Sequence, residues 1–142
     1  MKRAFVFFLL SVIITFNCFS QSTKDVIIEF TNVVPRGGPV YLTIFSNAEE
    51  FRKEEPKYMY DLGDSGAVVS RVVTLPLGDY VISGFQDANN NKDMDYNLLG
   101  IPRESVAISN YNGRGIPTKN FDRQKVTVTA ATDKISVGLF KF

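Results

Sequence analysis

The chain has 142 residues, 44% of them hydrophobic and 22% charged, with 16 Lys+Arg against 15 Asp+Glu, one cysteine and no histidine. Such a length suits one domain, and so even a charge balance excludes a basic stripe for nucleic acid or a membrane-surface patch. The missing histidine removes Ser-His-Asp and Cys-His nucleophile systems and His-based metal centres.

The first element is a leader. In "MKRAFVFFLLSVIITFNCFSQS", Lys2 and Arg3 precede an apolar run from Ala4 to Phe16, and Cys18 and Ser20 stand at minus three and minus one of a cut before Gln21. A run of about 13 residues is short for a bilayer span and right for a secretory signal peptide. Residues 1–20 are therefore expected to be removed, leaving one domain, 21–142, exported to the periplasm or secreted. Asn17 before Cys18, with Thr15 and Phe16 ahead of it, makes a poor lipobox and argues against a lipoprotein. Losing Lys2 and Arg3 leaves the basic residues one fewer than the 15 acidic ones and removes the sole cysteine. The mature chain, at roughly 122 residues, is long enough to bury a core without a disulfide, and it contains no transmembrane segment.

Strands follow. "DVIIEFTN" alternates with Val26, Ile28 and Phe30 on one face, the period of a half-buried strand. "PRGGP" reads as a turn, and "VYLTIFSN" as the next strand with Leu42 and Ile44 inward, so the two are expected to form a hairpin. In "SNAEEFRKEEP" the period changes: Asn47 is a helix cap, Glu50 its reciprocal partner, and Pro56 a stop, which predicts a short helix near 47–55. "AVVSRVVTL" is strongly β-forming but apolar on both faces; the face carrying Val72 is expected in the core. "LPLGDY" is a tight turn into "DYVISGFQD", with Tyr80 and Ile82 inward. After a long irregular segment, "QKVTVTA" and "KISVGLF" are expected to pair as a closing hairpin that buries Val126, Val128, Val137 and Leu139. The sum is an all-β chain, an antiparallel β-sandwich of about seven strands, transthyretin-like or Ig-like.

The candidate site is "DANNNKDMD". Asp87, Asn89, Asn91, Asp93 and Asp95 put oxygen-bearing side chains at every second position. Calcium loops place ligands at positions 1, 3, 5, 7 and 9 in this way. The EF-hand pattern fails here, because Lys92 stands where its glycine belongs and Leu98 where its bidentate glutamate belongs. Asp and Asn also bond their own backbone two residues on and build turns with no ion. A weak calcium site and a self-bonded turn both remain open. A second candidate surface is "SNYNGRGIPTKNF", in which Tyr111, Asn112, Arg114 and Asn120 are adaptable contact groups.

These blocks carry a resemblance. Leu75, Pro76, Gly78 and Tyr80, then Asp87, Asn89, Asn91 and Asp95, then Gly100, Ile101, Pro102 and Glu104, then Ser109 and Asn110, and finally Pro117 and Phe121 occur in the order of the DUF2141 family of exported bacterial proteins, which the chain resembles. The resemblance implies a fold and a compartment, not an activity. The chain departs from the family at Asn90 and Lys92, where glycine is usual; asparagine tolerates a left-handed backbone and lysine does so less well, which argues against the most turn-dependent form of the loop. The Leu-Pro-x-Gly-x-Tyr turn is also similar to that of transthyretin-like and carboxypeptidase-regulatory-like sandwiches.

The functional expectation is a non-catalytic binding module for an unknown protein or glycan, with no nucleic-acid partner and calcium as the one cofactor considered. A structural envelope component with a metal-free loop is the alternative, and a hydrolase is a distant third. Asp93 and Asp95 are a carboxylate pair of the kind glycosidases use, but such pairs are common. "GDSG" at Gly63–Gly66 matches a serine-protease signature in letters only, since Ser65 has no histidine to activate it.

Overall fold

The computed structural model describes residues 21–111 and 113–142; the leader, Cys18 and Asn112 lie outside the described residues. Among the described residues there are eight strands, one more than expected, and two short helices. The strands are β1 (Thr23–Thr31), β2 (Val40–Phe45), β3 (Tyr58–Asp61), β4 (Val68–Pro76), β5 (Gly78–Gln86), β6 (Ser105–Ile108), β7 (Val126–Val128) and β8 (Lys134–Gly138); the helices are α1 (Ala48–Lys53) and α2 (Phe121–Gln124). One sheet has the order β4-β1-β8, the other β3-β2-β5-β6, with β7 also paired to β5. The chain is thus a two-sheet β-sandwich, antiparallel except where β1 runs parallel to β8.

Neither expected hairpin forms. The segment after β1 carries the chain to the opposite sheet, where β2 lies between β3 and β5. It is held there by the buried Gln86 at the end of β5. The Gln86 amide donates to Val34 O at 2.7 Å and Gly38 O at 3.0 Å, and its oxygen accepts Val34 N at 3.0 Å. At the other end, β7 joins β5 while β8 joins β1, so the closing strands also separate between sheets.

The inward faces meet as alternation requires. Val26, Ile28, Phe30, Leu42, Ile44, Tyr80, Ile82, Val128, Val137 and Leu139 are buried in one cluster. Gly84 lets the sheets close on Phe30: a Cβ there would lie 2.4 Å from Tyr41 O and 2.7 Å from Phe30 Cζ. The Tyr80 hydroxyl donates back to Pro76 O at 2.9 Å, fixing the corner between β4 and β5. Two expectations need correction. Val126 is only half-buried, and Val72 is 60% exposed while Val69, Val73 and Leu75 are buried. Register decides the second: Val26 pairs with Val73, Ile28 with Arg71 and Phe30 with Val69. Residues directly opposite each other share a face, so the odd-numbered side of β4 turns inward. Arg71, on that side at a sheet edge, reaches out and lies 4.5 Å over the Tyr60 ring of β3, bridging one open side of the sandwich.

Asn47 caps α1, its Oδ1 accepting Glu49 N at 3.0 Å and Glu50 N at 2.9 Å. Glu50 returns one residue earlier than the expected box, taking Ser46 N at 2.7 Å. The helix ends at a left-handed Glu54 (φ 59), two residues before Pro56.

The face assignment of β4 is testable by paired truncation. Val73→Ala should cost about 1.5–3 kcal/mol in urea unfolding, the worth of a buried valine, whereas Val72→Ala should stay within about 0.5 kcal/mol. Equal losses would reverse the register.

Candidate functional site: the Asp/Asn loop and the groove beside it

β5 delivers the loop already anchored. Asp87 N donates to Pro39 O at 2.9 Å. Gly38 (φ +99) packs so closely that a Cβ would stand 1.8 Å from Asp87 O, so only glycine suits that position. The Asp87 side chain is fully buried. Its carboxylate accepts Asn91 N at 3.1 Å on one oxygen and Lys92 N at 2.7 Å on the other. A buried carboxylate requires such partners, and to supply them the chain coils back on itself. Asn90 and Lys92 adopt φ of 59° and 66° in that coil, so the left-handed turn forms even with lysine where the family has glycine, because the two bonds to Asp87 hold it.

The remaining alternate residues bond along the chain. Asn89 Oδ1 accepts Asn91 N at 3.1 Å, Asn91 Oδ1 accepts Asp93 N at 2.9 Å, and Asp93 Oδ1 accepts Met94 N at 2.9 Å. The amide groups of Asn89 and Asn91 both donate to Asp95 Oδ2, at 2.5 and 3.2 Å. Asp87, Asn89, Asn91 and Asp95 are thus brought into one network, with Asp93 turned along the backbone. No cluster of three or more His, Cys, Asp or Glu suited to hold a metal occurs among the described residues.

Glu104 completes the network, and the spacing argument did not include it. It is 5% exposed, and its two oxygens accept Ala88 N at 2.9 Å and Asp95 N at 3.5 Å, strapping the two ends of the loop together. Burial pushes its carboxyl above the usual glutamate range, opposed by those two backbone bonds and reinforced by the charges of Asp87 and Asp95. Its signal in the sequence lay in "GIPRE", where a lone glutamate follows a turn. That turn is built by Asn97, whose Oδ1 accepts Leu99 N at 2.9 Å and Ile101 N at 3.0 Å.

The second candidate surface is tied into the fold. The Tyr111 ring stacks on Phe140 with centroids 4.4 Å apart, and its hydroxyl donates to Gly115 O. Asn120 caps α2, accepting Arg123 N at 3.1 Å. Arg114 is exposed on the same segment, and Asn112 is outside the described residues.

Between this segment and the loop lies a groove of about 580 Å³ on the outer face of the β3-β2-β5-β6 sheet. Phe45, Phe85 and Val106 line it from the sheet, Met94 and Tyr96 from the loop, and Ile116 from the later segment. Lys92, Asp93, Glu54 and Lys119 add charge to its lining, the last two as an ion pair at 2.7 Å.

Asp87→Ala should strand two backbone N–H groups and cost about 1–3 kcal/mol in denaturant unfolding. Lys92→Gly, which relieves a left-handed lysine, should gain about 0.5–1 kcal/mol. Glu104 predicts a pH dependence. Its folded pKa lies above the unfolded value of 4.5, so its proton-linked stabilisation is complete below about pH 4.5 and is lost as pH rises through the folded pKa. The stability of the wild type minus that of Glu104→Gln should therefore fall with rising pH across this window; a constant or rising difference would contradict the burial of the charge.

No curated protein and no solved structure matches the chain. A family match covers residues 28–136, under the description "Uncharacterized protein conserved in bacteria (DUF2141)". It takes in the second half of β1, the coiled loop with its left-handed Asn90 and Lys92, the Glu104 strap and most of β8, and the chain belongs to that family.

Proposed function

We propose that the protein is an exported, non-catalytic binding module whose groove takes apolar side chains of a partner protein. The observation that carries this reading is the groove of about 580 Å³, within the roughly 300–1,000 Å³ of ligand sites. An apolar floor with a charged rim is the anatomy of a protein-binding patch. Met59 and Met94 in its lining give it an adaptable surface. The floor itself is apolar, with Phe45, Phe85, Val106 and Ile116, and the polar groups Glu54, Lys92, Asp93 and Lys119 stand around it, which favours apolar side chains over a glycan. Export rests on the leader composition. The absence of catalytic function rests on a chain with no histidine and no cysteine after Gln21.

In this reading the Asp/Asn loop walls the groove. Its hydrogen bonds support a metal-free loop, because Asp87, Asn89 and Asn91 each already accept a backbone N–H. Millimolar calcium should therefore move the melting temperature by less than about one degree relative to chelator, whereas a site with a Kd near 10⁻⁴ M would raise it by a few degrees.

The groove is tested with an apolar fluorescent probe, anilinonaphthalene sulfonate. Saturable binding to the native protein is expected, weakened about tenfold or more by Met59→Glu or Ile116→Glu. Val72→Glu, on the opposite sheet, should leave it unchanged. No saturable binding, or equal binding by all the variants, would favour a structural envelope component with no ligand.

A further inference from the structure

The two sheets leave open sides, and the four strands bordering them differ. β4 carries the inward-facing Arg71, a charge of the kind that blunts a sheet edge. β3 is four residues long. β6 is occupied by Phe140, which exchanges two bonds of 2.8 Å with Val106. β8, five residues long, has neither an inward-facing charge nor, among the described residues, a segment paired to its outer edge.

Backbone parity shows which groups β8 leaves open. Ile27 N donates to Asp133 O and Leu139 N to Thr31 O, both at 2.9 Å, with Ile27 opposite Lys134 and Thr31 opposite Gly138. In a parallel ladder with this register, the odd-numbered residues of β8 turn their N–H and C=O toward β1. Lys134, Ser136 and Gly138 turn theirs the other way, and among the described residues no strand pairs with them there. Lys134 does not guard this edge, because its ammonium is drawn to Glu29, at 2.7 Å.

The free edge opens into a cleft of about 280 Å³, lined by Ser136 and Gly138 on one side and by Ile108, Asn110 and Val126 on the other. Val126 and Ile135, which alternation assigns to the core, are only half-buried at this open side. The Phe140–Val106 bridge lies beside it.

We infer that the free edge of β8 takes an extended segment of a partner polypeptide by strand addition. The backbone of the segment pairs with Ser136 and Gly138, and its alternate side chains enter the cleft against Val126 and Ile135. The chemistry selects the occupant: a row of main-chain donors and acceptors beside an apolar slot is answered by another β-strand. The cleft of about 280 Å³ has room for a few side chains of one extended strand. This surface is separate from the groove proposed above, so either can fail alone.

The test is panning of a phage-displayed library of random linear peptides against the exported-length protein, followed by affinity and amide hydrogen exchange with the recovered peptides. Ser136→Pro deletes an N–H that the β1 ladder does not use; Ser136→Ala keeps it. Recovered peptides should bind wild type and Ser136→Ala alike and lose about tenfold or more on Ser136→Pro, the worth of one or two hydrogen bonds. Bound peptide should slow exchange at Ser136 and Gly138, while Val137 stays protected in every variant. If Ser136→Pro does not fold, Lys134→Pro makes the same deletion at the first strand position, where proline is tolerated. No enriched peptide, equal binding by the proline variants, or self-association through β8 without peptide would overturn the inference.

Discussion

The arrangement around the loop depends on one buried charge. Asp87 is fully buried at the end of β5, and an ionised carboxylate there is tolerated only if hydrogen bonds replace its water. The donors that meet it are Asn91 N and Lys92 N. Recruiting them forces the backbone through two left-handed residues. The cost of that conformation at Lys92 is offset by charge-assisted bonds, which are roughly twice as strong as neutral ones. Once the coil is set, the other Asp and Asn side chains have their partners chosen for them. Glu104 then closes the base of the loop from the far side. The geometry of the groove follows, because Met94 and Tyr96 stand on the stretch between these two carboxylates.

A second constraint is the division between sheets. The turn after β1 does not fold back on β1, because Gln86 and the close contact of Gly38 with Asp87 hold it against the end of β5. The same short region therefore fixes both the crossover between sheets and the start of the loop. One side of the sandwich is bridged by Arg71 over Tyr60. The other is left with a cleft beside β8. The asymmetry arises from where each chain segment enters its sheet rather than from composition.

Much of the core was legible, because a period of two is a local property. Val26, Ile28 and Phe30 announce their face without reference to a partner. Where both parities are apolar, as from Val68 to Val73, the face belongs to the register with β1, and nothing within the segment decides it. The hairpins were misread for a related reason: adjacency in sequence suggests pairing, but β1 bonds to β4 and β8 through contacts far apart along the chain. β3 and β6, four residues each, are too short to show a period. In the loop, the alternation of Asp and Asn was visible, whereas Lys92 where the family has glycine argued against the left-handed backbone that is found there. The direction of the amides and the arrival of Glu104 were not visible, since both depend on tertiary placement.

The central claim is that the loop is shaped by a buried carboxylate holding two backbone amides. Amide hydrogen exchange of Asn91 and Lys92 in chelator tests it most directly, because both residues are exposed in their side chains while their N–H groups point at Asp87. Protection at both sites within about tenfold of the β5 interior, with no added ion, is the predicted result. Exchange at the rate of an open loop, or protection that appears only when calcium is supplied, would contradict it.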